Sequence, residues 1–80
     1  MGNARYQTPK NGYEITPSDT ANESIPFAAI YVGVAGDVAV VTGDGTVLLH
    51  KGVPTGGTIR LGGIRVNSTN TTATDMIGYI

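Results

Sequence analysis

Apolar residues fall at every second position through the middle of the chain. Ile30, Val32 and Val34 alternate with smaller or more polar residues, as do Val38 and Val40, and again Val47 and Leu49. A period of two puts the apolar set on one face of a strand, which predicts strands over residues 27–34, 37–42 and 46–51. Ala35-Gly36-Asp37 and Gly43-Asp44-Gly45 interrupt the runs where turns are needed. Asp-Gly between two alternating runs is a strong hairpin signal, because tight hairpin turns need positive φ. Gly45 is the residue expected to supply it. The three strands read as a meander onto which the rest of the chain folds.

Beyond residue 51 the pattern continues in shorter pieces. Gly52-Val53-Pro54-Thr55-Gly56-Gly57 reads as a loop, since Pro among glycines does not suit a central strand. Thr58-Ile59-Arg60-Leu61 alternates, Gly62-Gly63 marks a bulge or a sheet corner, and Ile64-Arg65-Val66 resumes the alternation. Residues 67–72 are a polar turn tract, and residues 73–80 form a last strand. Six or seven short strands with turns at this spacing predict an all-β fold, a small antiparallel β-sandwich or barrel. No helix of ordinary length fits after residue 26, and no internal repeat is present.

The leading 26 residues differ in kind. They carry few apolar side chains, no periodicity, and Pro9, Pro17 and Pro26 as punctuation, with Asn11-Gly12 as a turn dipeptide. They read as an extended N-terminal arm over residues 1–26, ahead of a β-domain over residues 27–80. Fully extended, such an arm reaches roughly 85 Å. It is either a loose terminus or a segment that lies across a neighbouring subunit. In the second case Tyr6, Tyr13 and Ile15 are its anchors.

Composition sharpens this picture. Eighty residues with 12 glycines, one phenylalanine and no tryptophan give one domain with a light, aliphatic core. A core this small is marginal without staples. There is no cysteine for disulfides, and the single histidine, His50, excludes a His/Cys zinc site within one chain. Oligomerisation is the route left. A net charge of −1 with 14% charged residues gives no electrostatic footprint for nucleic acid. No apolar run approaches the roughly 18 residues of a membrane helix, and the first residues lack the apolar stretch of a secretory signal.

Candidate chemistry is sparse. Gly43-Asp44-Gly45 lacks the spaced oxygens of a calcium loop and reads as a turn. His50 stands beside Lys51 with no nucleophile motif to serve. The glycines at 33, 36, 43 and 45 precede no helix, so they are not a phosphate loop. Asn22, Asn67 and Asn70 each open a glycosylation-type triplet and read as turn or capping residues. Arg60 and Arg65 are the polar members of two neighbouring predicted strands. They are either a solvated face or an ionic contact to an acidic partner surface. The residues therefore predict no catalytic, cofactor or metal site and no enzyme, and the assembly contacts expected are Tyr6, Tyr13, Ile15, Arg60 and Arg65.

The order of short motifs adds a resemblance. Ile15-Thr-Pro-Ser-Asp-Thr-Ala21, Ala29-Ile-Tyr-Val-Gly33, Ala35-Gly-Asp-Val-Ala-Val-Val41, Gly52-Val-Pro-Thr-Gly56, Ile64-Arg-Val66 and Asn70-Thr-Thr-Ala-Thr-Asp-Met-Ile77 follow one another. Together, over residues 15–80, they resemble the head spike base proteins of gene transfer agents and tailed phages. The loop after Pro54 departs from that pattern in being glycine-rich where a second proline is expected, and residues 1–14 lie outside it. The resemblance implies a non-enzymatic virion structural protein, made in the host cytoplasm and placed on the capsid exterior as a capsid decoration (cement) protein or a head spike base. Its implied partners are the major capsid protein, further copies of itself in a three- or five-fold homo-oligomer, and a spike or fibre protein, with neither nucleic acid nor membrane. The contrasting reading is a receptor- or glycan-binding module on the virion surface. A cluster of exposed aromatics is its expected signature.

Overall fold

The computed structural model describes residues 11–80, and Tyr6 lies outside them. Seven strands and no helix make up the described chain. In order they are β1 (Gly12–Glu14), β2 (Ala29–Val34), β3 (Gly36–Val41), β4 (Val47–Val53), β5 (Thr58–Ile59), β6 (Arg65–Asn67) and β7 (Thr74–Tyr79). They form two antiparallel sheets, β1-β7-β2-β5 and β4-β3-β6. The sheets face each other across one core. Ile30, Val32, Ile59 and Met76 come from the first sheet, Val38, Val40 and Val66 from the second, and Ile15, Phe27 and Ala73 fill in from the connections. Two layers that bury one face each are the all-β sandwich the alternation predicts.

The hairpin between β3 and β4 forms as expected. Val41 pairs with Val47 across a turn in which Gly45 has φ +89°, a region that costs a residue with Cβ about 1–2 kcal/mol. Asp44 closes the turn by accepting from the Thr42 hydroxyl at 2.6 Å and the Thr46 amide at 3.1 Å.

The meander, by contrast, is broken at its first turn. β2 and β3 are separated by Ala35 alone, yet they lie in different sheets. Gly36 is the corner. A Cβ there would sit 2.4 Å from the Ala73 amide nitrogen and 2.7 Å from the Thr72 hydroxyl, so only glycine lets the two backbones meet. Asp37 then donates its amide to the Thr72 hydroxyl and accepts from the Thr72 amide, at 2.8 and 2.9 Å. These bonds hold the chain as it leaves one sheet for the other.

The leading segment also differs from expectation. The sequence predicts an arm through residue 26, but β1 pairs with β7, and Ile15 is buried in the core. Residues 15–27 then run along the second sheet. Ser18 and Glu23 donate their amides to the Val66 and Ile64 carbonyls at 2.8 and 2.7 Å, and Phe27 bridges Gly63. Asp19 accepts from the Thr69 amide and hydroxyl at 2.9 and 2.7 Å. Residues 11–26 therefore lie against the β-domain.

Candidate assembly surface

Each sheet leaves two edge strands, and an edge presents unpaired N–H and C=O groups to any strand that can reach it. β4 is the longest strand and stands at such an edge. Its bonding alternates from the Thr42 amide, which donates to the Thr46 carbonyl. In an antiparallel ladder the next residue turns its backbone groups the other way, so Val47 and Leu49 aim theirs away from β3. Their side chains are also uncovered. Val47 is 50% exposed, and Leu48 and Leu49 are each 42% exposed. Strand neighbours point to opposite faces, so β4 shows apolar surface on both. The alternation predicts a buried face for Val34, Val47 and Leu49, yet all three are exposed, Val34 at 46%; within β4, Leu48 stands opposite the fully buried Val40, and Leu49 opposite Ala39. The run Val47-Leu48-Leu49 is the signal that was available, since three consecutive apolar residues break the alternation of a half-buried strand.

Below this stretch β4 turns cationic. An open groove of about 560 Å³ lies between the end of β4 and β5, with His50, Lys51 and Arg60 among its lining residues. His50 keeps its ring beside the Leu48 carbonyl, with Nδ1 at 3.1 Å. Lys51 lies 3.8 Å from Asp37, a surface pair of small energetic weight. Arg60 is exposed just past β5, with no ion pair or hydrogen bond to its side chain among the described residues.

Arg65 is placed differently. It opens β6, in the other sheet from β5, so the two arginines do not stand on neighbouring strands. Its guanidinium is engaged within the chain, with Nε donating to Asn67 Oδ1 at 3.0 Å and Nη1 donating to Asn22 Oδ1 at 2.7 Å. Ile15 is buried in the chain's own core. Tyr13 is half-buried in β1 and donates its hydroxyl to the Ile25 carbonyl. Burial, and then the nearby Glu23 carboxylate, raise the Tyr13 pKa, while burial raises that of Glu23.

The opposite edge of the first sheet is acidic. Glu14 and Asp75 line a notch of about 240 Å³ beside β1. Both carboxylates are exposed, and neither has a side-chain partner among the described residues. Among the other described acids, Asp37 stands beside Lys51 and accepts from the Gly52 amide. Asp19 is held below the usual carboxylate range by its bonds from Thr69, and Asp44 is held at about 2 by those from Thr42 and Thr46. No group of three His, Cys, Asp or Glu that could hold a metal occurs among the described residues.

No protein-family model matches the chain, and no curated protein does. A solved structure does. A chain described as "Capsid of native GTA particle computed with C5 symmetry", where GTA is a gene transfer agent, superposes with a TM-score of 0.82 at 25% sequence identity. The match covers 100% of this chain and 99% of that one. The chain thus shares its whole fold, end to end, with a component of a gene-transfer-agent capsid.

Proposed function

We propose that this chain is a structural protein of a virion or gene-transfer-agent particle, attached to the outer surface of the capsid as a decoration protein or head spike base, and that it is not an enzyme. The single observation that carries the reading is the full-length likeness to a chain of such a capsid. Two features of the molecule support it. Its core is light and has no disulfide, so contacts with neighbours add stability that the isolated chain lacks. Its longest edge strand also leaves apolar side chains in water, as expected of a surface covered in an assembly. A capsid repeats the same docking site many times, so modest contacts per copy suffice.

The receptor- or glycan-binding reading has less support. Phe27 is buried, and Tyr13, Tyr31 and Tyr79 are half-buried, so the described residues offer no exposed aromatic platform. Mixing the purified chain with undecorated capsids and counting bound copies per particle tests the proposal. Saturable occupancy in register with the capsid symmetry is expected. No binding to capsids, together with binding to a glycan array, overturns it.

A further inference from the structure

We infer that the β4 edge is the docking site for the β1 edge of a second copy of this chain, joining copies head to tail. The inference rests on the reading above of an assembling particle protein and names the contact through which copies meet. β4 offers backbone at Val47 and Leu49 with no partner among the described residues, uncovered apolar side chains on both faces, and a groove lined by Lys51 and Arg60 beside them. Such an edge pairs with another strand unless something blocks it.

Charge selects the occupant. Lys51 and Arg60 line the groove beside β4, so a strand that brings carboxylates is the complementary occupant, since opposite charges across a strand pair add stability. The ten leading residues carry Arg5 and Lys10 and no acid, so they are the wrong sign for this groove. β1 is the right one. It is the edge of the first sheet opposite β5, and it carries Glu14, with Asp75 in the same notch.

Among the described residues, only β7 pairs with β1, and the other side of β1 is free. Its register with β7, together with the amide of Ile15 donating to Met76 and that of Ile80 donating to the Asn11 carbonyl, directs the backbone groups of Gly12 and Glu14 outward. Ile25, 52% exposed and tied to Tyr13, supplies apolar surface beside it. The contact joins two different surfaces of one chain, so it is heterologous. Repetition closes a ring when the rotation between copies allows it.

The test uses the full chain and charge reversal at each edge. Glu14→Lys with Asp75→Asn alters the acidic edge. Asn is chosen because Asp75 has φ +55°, a conformation Asn tolerates. Lys51→Glu with Arg60→Glu reverses the groove. Sedimentation velocity or native mass spectrometry should show the parent chain as an oligomer that weakens at high salt. Each double variant should shift to monomer with its melting temperature kept, and the quadruple variant should recover the oligomer.

A parent chain that stays monomeric at millimolar concentration overturns the inference, as do double variants that remain assembled or a quadruple variant that does not recover. Oligomers lost on removing residues 1–10 but indifferent to both reversals overturn it in favour of the leading segment. Capsid binding read in parallel separates the two claims. Capsid binding by a chain that never self-associates overturns this contact and leaves the capsid reading standing. Self-association without capsid binding does the reverse.

Discussion

β3 and β4 are two halves of one hairpin, hydrogen-bonded to each other and both rich in aliphatic residues, and their fates are opposite. Val38, Ala39, Val40 and Val41 are all buried, while Val47, Leu48 and Leu49 are all exposed. Composition does not separate them, and neither does strand propensity, since both strands form. Packing does. β3 is central in its sheet, flanked by β4 and β6, whereas β4 stands at the edge, beyond the cover of the other layer. A hydrophobic pattern therefore specifies that a strand forms, and what the chain packs against it decides whether it is buried. The edge strands β5 and β6 still bury Ile59 and Val66, and β4 leaves Val47, Leu48 and Leu49 in water. An apolar edge that the chain leaves uncovered is surface available to something else.

The largest contrast should come from one substitution made on both sides of a single register pair. Val40 and Leu48 face each other across the hairpin. Val40→Asp places a carboxylate in a fully buried site with no partner, a cost of several kcal/mol against a total stability of about 4–12 kcal/mol for a domain of this size. Loss of a cooperative thermal transition is expected. Leu48→Asp puts the same group where water already reaches, so the melting temperature should hardly move while self-association falls. A cooperative Val40→Asp variant, or a Leu48→Asp variant that unfolds, would erase the distinction between the two strands.

Two glycines sharpen the same contrast at the ends of β3. Gly36→Ala drives a methyl into the Ala73 backbone at the corner between sheets, an overpacking cost of about 1–3 kcal/mol or more. At Gly45 there is open space and the only penalty is conformational, so Gly45→Val should cost about 1–2 kcal/mol. Urea unfolding of both variants checks the order. The reverse ranking would show that the turn, not the corner, holds β3 in place.

Those two glycines also mark what could be read from the chain and what could not. Gly45 was legible because Asp-Gly between alternating runs has one common structural solution. Gly36 was not, because a short break between two alternating segments looks the same whether the chain folds back on its own sheet or crosses to the facing one. The difference lies in Thr72 and Ala73, more than thirty residues away, which grip the corner. The six strands after residue 26 and the all-β character were likewise legible in the short runs and their turns, while β1 was not.

The leading segment was misread for a related reason. Gly12-Tyr13-Glu14 has no pattern of its own, and its strand exists through its pairing with β7. Among the expected contact residues, Tyr13 and Arg60 lie at opposite edges of the first sheet, Ile15 serves the core, Arg65 is tied within the chain, and Tyr6 lies outside the described residues. The acidic notch was not legible, because it takes β1 and β7 together to bring Glu14 beside Asp75.

The smallest effect expected lies in the turn that joins the two strands. Hydrogen bonds, first from the Thr42 hydroxyl and then from Thr46, lower the Asp44 pKa from 3.8 to about 2. The folded chain therefore takes up this proton less readily than the unfolded chain. Linkage gives the consequence: the carboxylate favours the folded state in full above its unfolded pKa, and that contribution is lost as the pH falls from 3.8 through about 2. The group is fully exposed, so the effect is slight and local. Asp44→Asn keeps an oxygen acceptor and removes the charge. The parent chain should melt slightly above this variant at neutral pH, and the gap should close as the pH falls to about 2. The turn should loosen while the buried face of β3 stays in place, so amide exchange should quicken at Gly45 and Thr46 before it does at Val40. A melting gap that stays constant across that range would show that the Asp44 charge has no part in holding β4 against β3.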